Sequence, residues 1–464
     1  MKSETKQLWS MTSLLQALGD LLVDVKGRHT DMRFGPILTD SRRLIPGAVF
    51  VALKGASFDG HDYALSACDA GAGVLILERS VGAPCPEIIV KDTALAYGAL
   101  ARAWRSQYAV PVICVVGSNG KTTTTQMIAG ILRAACGDEC VVATQKNYNN
   151  GVGVPMTLLG FNAQTKAAVV EAGINHPGEM AQLVNWIRPT VVVMTNAQRE
   201  HQEFLDGVEG SARENGMAIV ALSAKGTAVL PKTDACLPLW QQLACARGCR
   251  VVTYAAEALA DVSGRRDTEG MHFSSKAGEV KAALQMPGRH VLHDATAAVA
   301  AAQAIGVRAE AIDSALSAFR PVSGRGVVHR LRHGAVLIDE AYNANPDSMR
   351  AAIDVLAEMP EPRLLVLGDM GEVGDRGAEF HREIGLYAKE RGVARLLAVG
   401  PLMKEAVEAF GSDARHFDSV ESLEKAVAAE AMQGGSIMVK ASNFMKLSGL
   451  VRTIVDANGV FRTV

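Results

Sequence analysis

The chain has no surplus of charge of either sign. Its 47 Lys and Arg residues face 49 Asp and Glu, a formal net charge of −2, so no global field draws it to nucleic acid and any anion must be bound locally. The opening segment "MKSETKQLWSMTSLLQALGDLLVD" lacks the basic stretch, apolar core and small-residue cleavage site of a secretory signal. The most apolar runs, such as "ATAAVAAAQAIGV", are too short and too alanine-rich to span a bilayer. Eight cysteines are present, and the C-x3-C pairs Cys136/Cys140 and Cys245/Cys249 have no histidine nearby. Free or buried thiols in a reducing cytoplasm are therefore expected rather than a zinc site. Internal repeats and low-complexity linkers are also missing.

The length of 464 residues suits roughly three domains of about 150 residues each. Short strand candidates "AVFVAL", "GVLILE" and "EIIVKD" precede Pro111. Beyond it, apolar runs alternate with helical stretches in "VICVVGSNGKTTTTQMIAG", "AAVVEAG" and "TVVVMTNA", the pattern of a parallel sheet covered by helices. A second alternation follows "RPVSGRG", with "AVLIDE", "RLLVLGDM", "RLLAVG" and "SIMVK" as strands. Boundaries are expected near 108 and 318, giving units 1–108, 109–318 and 319–464.

One stretch carries chemistry. Val112–Val116 is an apolar strand, followed by Gly117, Ser118, Asn119 and Gly120 and a helix opening at Lys121, Thr122 and Thr123. The glycine that a Walker loop needs at 115 is Val115, yet strand, glycine loop and helix N-terminus still form a polyphosphate cradle. Lys121 offers a point charge to the outer phosphates and Thr122 a hydroxyl to Mg²⁺. Glu171 and His201 each follow a strand of the same region and are candidate metal ligands. Asp339 and Asn343 follow another strand end, where ligands bind in open α/β sheets. The "TNAQ" after "TVVVM" lacks the N-K-x-D that reads guanine, so a GTPase is disfavoured.

Four of these stretches, "GSNGKTTTTQM", "NYNNGVGVPMTLL", "EAGINHPGEM" and "TNAQREHQEF", together resemble the ATPase domain of the Mur ligases, which build the peptide stem of the bacterial cell wall. The flanks "TDSRRLIPGAVFVALKGASFDGHDY", "IDEAYNANPDSM", "VLGDMGEVG" and "HREIG" extend the resemblance over nearly the whole chain, and the D-N-P-R motif of the diamino-acid-adding member is absent. The resemblance implies an α/β protein of three domains: a smaller N-terminal α/β domain that binds the UDP substrate, a central phosphate-loop ATPase domain with a parallel sheet, and a Rossmann-like C-terminal domain. It implies ATP and Mg²⁺ as cofactors, UDP-MurNAc-tripeptide and D-Ala-D-Ala as substrates, an acyl-phosphate route, and a cytoplasmic monomer without nucleic-acid or membrane partners. Position by position, it assigns Thr122, Glu171 and His201 to metal, and Asp40, Ser41, Arg42 and Lys54 to the UDP moiety. Asn149 and Asn150 would lie near the sugar-nucleotide and phosphates, and Arg325 would meet the nucleotide, with Asp369 and Glu372 as lesser contributors. The diamino-acid-adding ligase, and a diverged relative that binds without ligating, are the alternatives.

Four departures matter. Asn215 stands where many members carry a carbamoylated lysine that orients Mg²⁺, so water, a small anion or Glu214 is the expected substitute. Val291 and Asp294 replace two asparagines of the adenine pattern, and an ionised Asp294 accepts hydrogen bonds but donates none. Lys146 replaces a glycine, and Asn443 an arginine, while Lys440 and Ser442 remain.

Overall fold

The structure is a computed structural model that describes residues 8–27, 32–55, 57–284, 286–331, 334–432 and 434–463. It contains three main β-sheets, each in one of the stretches separated above. In the first, the strands run in the order Leu22–Lys26, Glu87–Val90, Val74–Leu77, Val49–Val51 and Ile37–Leu38. All neighbours are parallel except the first pair. Val74–Leu77 is buried at every residue, as an unbroken apolar run predicts for a strand covered on both faces.

The central sheet has nine strands. Val112–Val116 lies inside it between Ala167–Glu171 and Val191–Met194, all parallel. The chain leaves Val112–Val116 for one half of the sheet and later crosses to the other, creating a switch point where the carboxyl ends of the strands part and a ligand crevice opens. The alanine run "ATAAVAAAQA" lies in the helix Arg289–Ala304, whose small side chains pack closely over this sheet. An antiparallel extension, Val262–Asp267, Gly270–Ser275 and Gly278–Ala282, was not anticipated. Its strands point only alternate residues inward and place Arg265 and Lys281 in solvent, so no apolar run announces it.

The third sheet orders Ala414–Phe417, Arg395–Val399, Arg363–Gly368, Ser436–Lys440 and Val336–Glu340 in parallel, and ends in the antiparallel strands Val327–Leu331 and Val460–Thr463. Apolar clusters cover both of its faces. One cysteine expectation fails: Cys68 and Cys85 form a disulfide with Cα atoms 6.0 Å apart, because the turn before Glu87 folds back over the helix Ala64–Asp69. Neither C-x3-C pair is bridged.

Candidate active site between two sheets

The phosphate loop takes the shape its glycines permit. Gly117 and Gly120 have φ of +121° and +80°, a region that costs other residues energy. Space forbids side chains there as well: an added Cβ would come within 2.3 Å of Thr195 Oγ1 at Gly117 and 2.2 Å of Asp294 Oδ1 at Gly120. The amides of Ser118 and Asn119 donate to the Asn196 backbone oxygen (3.0 Å) and Asn196 Oδ1 (2.9 Å), which seats the loop on the neighbouring strand end. Lys121 curls back, its Nζ donating to the carbonyls of Gly117 (2.5 Å) and Ser118 (2.9 Å) and lying 3.2 Å from Glu200 Oε2.

Behind the loop, Thr122 Oγ1 and Asn149 Nδ2 both donate to Glu171 Oε1, at 3.1 and 2.7 Å. Glu171 is buried and its second oxygen, Oε2, has no hydrogen-bond partner. An unpaired buried carboxylate oxygen beside a threonine hydroxyl is a hard donor set that fits Mg²⁺. His201 does not complete it: its Nδ1 lies 2.5 Å from Glu372 Oε2 of the third sheet's unit. This close partner holds the Glu372 carboxyl below its usual range. Among the described residues no three His, Cys, Asp or Glu side chains form a metal-holding group.

A cavity of about 1150 Å³ lies over this crevice, bounded on the far side by the third sheet. Ser118, Asn119, Gly120, Lys121, Thr122 and Thr123 of the loop line it. Asn149, Asn150, Glu171, His201, Asp294, Arg325 and Asn343 do so too, so most of the expected residues meet in one place. Arg325 stacks on Tyr342, its guanidinium carbon 4.0 Å from the ring centre. Lys440 is buried, donates to the Asn343 carbonyl at 3.0 Å and lies 3.4 Å from Glu340 Oε2; burial pulls its ammonium below the usual lysine range, with Glu340 opposing. Burial also pushes the Asp294 carboxyl well above the ordinary carboxylate range, against the pull of Arg325. A carboxyl that keeps its proton offers one donor and one acceptor, as asparagine does. The acceptor-only expectation for Asp294 assumed an ionised group.

Other expectations shift. Asp339 does not line the cavity; it accepts from the backbone of Gly324 (2.9 Å) and Ala341 (3.2 Å), shaping the turn that carries Arg325. Its neighbour Glu340 faces the cavity instead, since successive strand residues point to opposite sides. Asp369 likewise serves the backbone amides of Leu402 and Met403. Asn215 lies behind the loop, its Oδ1 accepting from the Gly117 amide at 3.0 Å. Glu214 is spent on the amides of Gly178 and Met180, both at 2.9 Å. Lys146 is exposed and outside the cavity lining, with φ of +53°.

Asp40, Ser41, Arg42 and Lys54 lie on the first sheet's unit, away from the cavity lining. Asp40 caps the turn Ser41–Arg43 and accepts from Arg42 Nε (2.9 Å) and Nη2 (2.8 Å). The Arg42 hydrogen bonds hold the Asp40 carboxyl down at about 2. The Arg42 side chain is 86% exposed, which leaves it open to a ligand.

Three family models match the chain in order: "Mur ligase family, catalytic domain" over residues 35–105, "Mur ligase middle domain" over 115–302, and "Mur ligase, glutamate ligase domain" over 324–443. The UDP-N-acetylmuramoyl-tripeptide–D-alanyl-D-alanine ligase of Escherichia coli strain K12 is 36% identical over 92% of this chain and 95% of its own length. The chain belongs to the Mur ligase family. The enzyme of the same name from Bacillus subtilis strain 168 is 33% identical, covering 91% of this chain and 93% of its own. Among solved Mur ligases, a MurF from Acinetobacter baumannii superposes with a TM-score of 0.89 at 29% identity, over 97% of this chain and all of the other. MurF from Thermotoga maritima, solved in complex with ADP, matches in fold at a TM-score of 0.78 and 24% identity, over 91% of this chain and 97% of its own. As a Mur ligase, the chain is an ATP-dependent enzyme that forms amide bonds.

Sequence reasoning missed Glu200, Arg199 and Asn345. Arg199 and Glu200 immediately precede His201 in "TNAQREHQEF", and no local spacing distinguishes a carboxylate that faces the loop from a solvated one. Asn345 Nδ2 donates to Asn119 Oδ1 at 2.9 Å, a pairing 226 residues apart that no local pattern signals.

Proposed function

We propose that this Mur ligase joins D-Ala-D-Ala to the terminal carboxylate of UDP-MurNAc-tripeptide, consuming ATP and releasing ADP and phosphate. The observation that carries the reading is the single cavity in which Lys121, Glu171, Asn149, Arg325 and Lys440 converge from two sheets, while relatives of that activity span over nine-tenths of the chain. The units 1–108, 109–318 and 319–464 take the UDP end, the ATP and the amine respectively, in a cytoplasmic monomer.

The chemistry is local. A peptide carboxylate and a triphosphate repel, and bringing them together requires positive charge between them and an in-line hold. Lys121 exchanges its loop carbonyls for phosphate oxygens, and the loop amides follow the same anion. Thr122 and Glu171 Oε2 would hold Mg²⁺, whose chemistry is to neutralise the phosphates, and His201 would be a further ligand once released from Glu372. Arg325 approaches the nucleotide from the third unit, with Asn343 at the same rim. Asp294 lines the cavity where the base would lie, its carboxyl pushed up by burial. Asn149 and Asn150 face the phosphate side of the muramyl substrate, while Asp40, Ser41, Arg42 and Lys54 take its uridine diphosphate. Lys440 and Ser442 border the amine.

Phosphate release from ATP, measured with UDP-MurNAc-tripeptide in the presence and absence of D-Ala-D-Ala, tests the reading. Release that needs both substrates, and is abolished in Lys121→Ala, is expected. Stimulation by a diamino acid in place of D-Ala-D-Ala, or by neither substrate, would overturn it.

A further inference from the structure

The geometry points to Glu200 as the fixed anionic group of the phosphate site, standing in for the carbamate that position 215 cannot carry, so that nucleotide binding depends on a divalent cation and turnover is independent of carbon dioxide. The inference rests on the ligase reading above and adds a residue and a control to it.

The Glu200 side chain is 5% exposed, and both of its oxygens face the phosphate loop or its support. Oε2 lies 3.2 Å from Lys121 Nζ and 4.0 Å from His201 Nε2. Oε1 accepts from Ser211 Oγ at 3.1 Å and from Asn215 Nδ2 at 3.3 Å. Asn215 is buried, and its amide is used on both sides: Oδ1 takes the Gly117 N–H, and Nδ2 also donates to the Ser211 carbonyl at 3.0 Å. Position 215 therefore ties three parts together, the loop, the helix Gly207–Val220 and Glu200, while contributing no charge. Glu214, the nearest acidic alternative in sequence, is bound to the Gly178 and Met180 amides.

The charges then decide the behaviour. Without nucleotide, Glu200 and Lys121 neutralise each other in a nearly dry corner. When phosphates draw the ammonium away, a carboxylate is left buried beside a polyanion, an arrangement that is strongly unfavourable without a compensating cation. A divalent cation supplies that compensation and takes carboxylate oxygens readily. Glu200 thus penalises cation-free nucleotide and favours the cation-bound form, as a carbamate would.

Calorimetric titration of ADP and of a non-hydrolysable ATP analogue, in Mg²⁺ and in EDTA, tests this directly. The wild type is expected to prefer the Mg²⁺ form strongly. Glu200→Gln should lose about tenfold or more of that preference, chiefly through tighter binding in EDTA, and Glu200→Asp should restore most of it. Wild-type turnover should be the same in carbonate-stripped and bicarbonate-supplemented buffer, and the intact mass should show no carbamate. An unchanged Mg²⁺ preference in Glu200→Gln with the fold intact by circular dichroism, or strong bicarbonate stimulation of the wild type, overturns the inference. If neither muramyl peptide nor D-Ala-D-Ala stimulates the wild type, the ligase reading fails, while the titrations still judge Glu200.

Discussion

The two seams that join the central unit to its neighbours are built from opposite materials. Toward the first sheet, one apolar cluster runs without a break from Trp9 and Leu14 through Tyr97, Leu100 and Trp104 to Leu158, Phe161 and Trp186. Gly98 lets the helix Thr93–Arg105 lie flat on Trp186, since an added Cβ would come within 2.1 Å of that ring. Trp104 Nε1 donates to the Phe161 carbonyl at 2.8 Å, and Arg105 fastens the carbonyls of Ile187, Tyr108 and Arg188. Toward the third sheet, no apolar cluster is shared among the described residues. Arg199 instead reaches Asp347 (2.6 Å) and Glu383 (2.7 Å), His201 meets Glu372, and Asn119 pairs with Asn345. Apolar burial is non-directional and costly to undo, whereas these partly buried ion pairs are directional and are weakened by salt and water once the seam begins to part. The first seam is a weld and the second a clasp, and under the proposed reading, in which nucleotide and amine come from different units, the clasp is the seam that would open.

The comparison breaks most visibly at Gly98. Gly98→Val should overpack the weld and cost about 3 kcal/mol or more, read as a lower Tm and a lower denaturant midpoint, and as loss of soluble protein if the unit comes apart. A Tm within a degree or so of wild type would mean that the helix simply lifts and that the seam is not tightly packed.

Arg199→Met attacks the clasp. Tm should change little, while small-angle scattering shows a larger radius of gyration in the absence of nucleotide and kcat/KM falls about tenfold or more. Salt sharpens the same contrast: raising NaCl from about 50 to about 500 mM should expand the wild type toward the Arg199→Met profile and leave that variant almost unmoved. Equal expansion of both would show that ion pairs do not hold the clasp.

The smallest effect is expected at Asp294. Its native carboxyl keeps a proton at pH values where the unfolded chain has released it, so the native state binds more protons and stability falls as pH rises through that window. Asp294→Asn removes the loss. Its Tm advantage over wild type should be absent near about pH 4 and grow toward neutrality to a few degrees, and scans across that range would show it. A constant difference at all pH values would mean the carboxyl titrates normally.

Much of this was legible in the sequence. The unbroken apolar runs gave the parallel strands, and "GSNGKTT" after one of them announced the loop, because a fully buried strand and a glycine turn are local facts. Thr122 and Glu171 were readable as neighbours through the strand ends of one sheet, whereas Asn149 was placed near the phosphates only by the family resemblance. What the pattern could not supply was direction. Asp339 and Glu340 are adjacent, and only the pleat sets which one sees the cavity. Glu214 and Glu200 were equally available in sequence to answer Asn215, and the helix Gly207–Val220 turns the first toward Gly178. The burial that pushes the Asp294 carboxyl up its range is set by how the helix Arg289–Ala304 packs on the sheet, which composition does not reveal.

Asn345 has two duties at once. Its Oδ1 accepts the Ser348 amide at 2.9 Å and so caps the helix Pro346–Ala357, while its amide nitrogen is paired with Asn119 in the phosphate loop. Any displacement of the loop would therefore reach the first turn of a helix in the other unit. One amide side chain thus counts in both units, and its loss would cost a helix cap and a loop contact together.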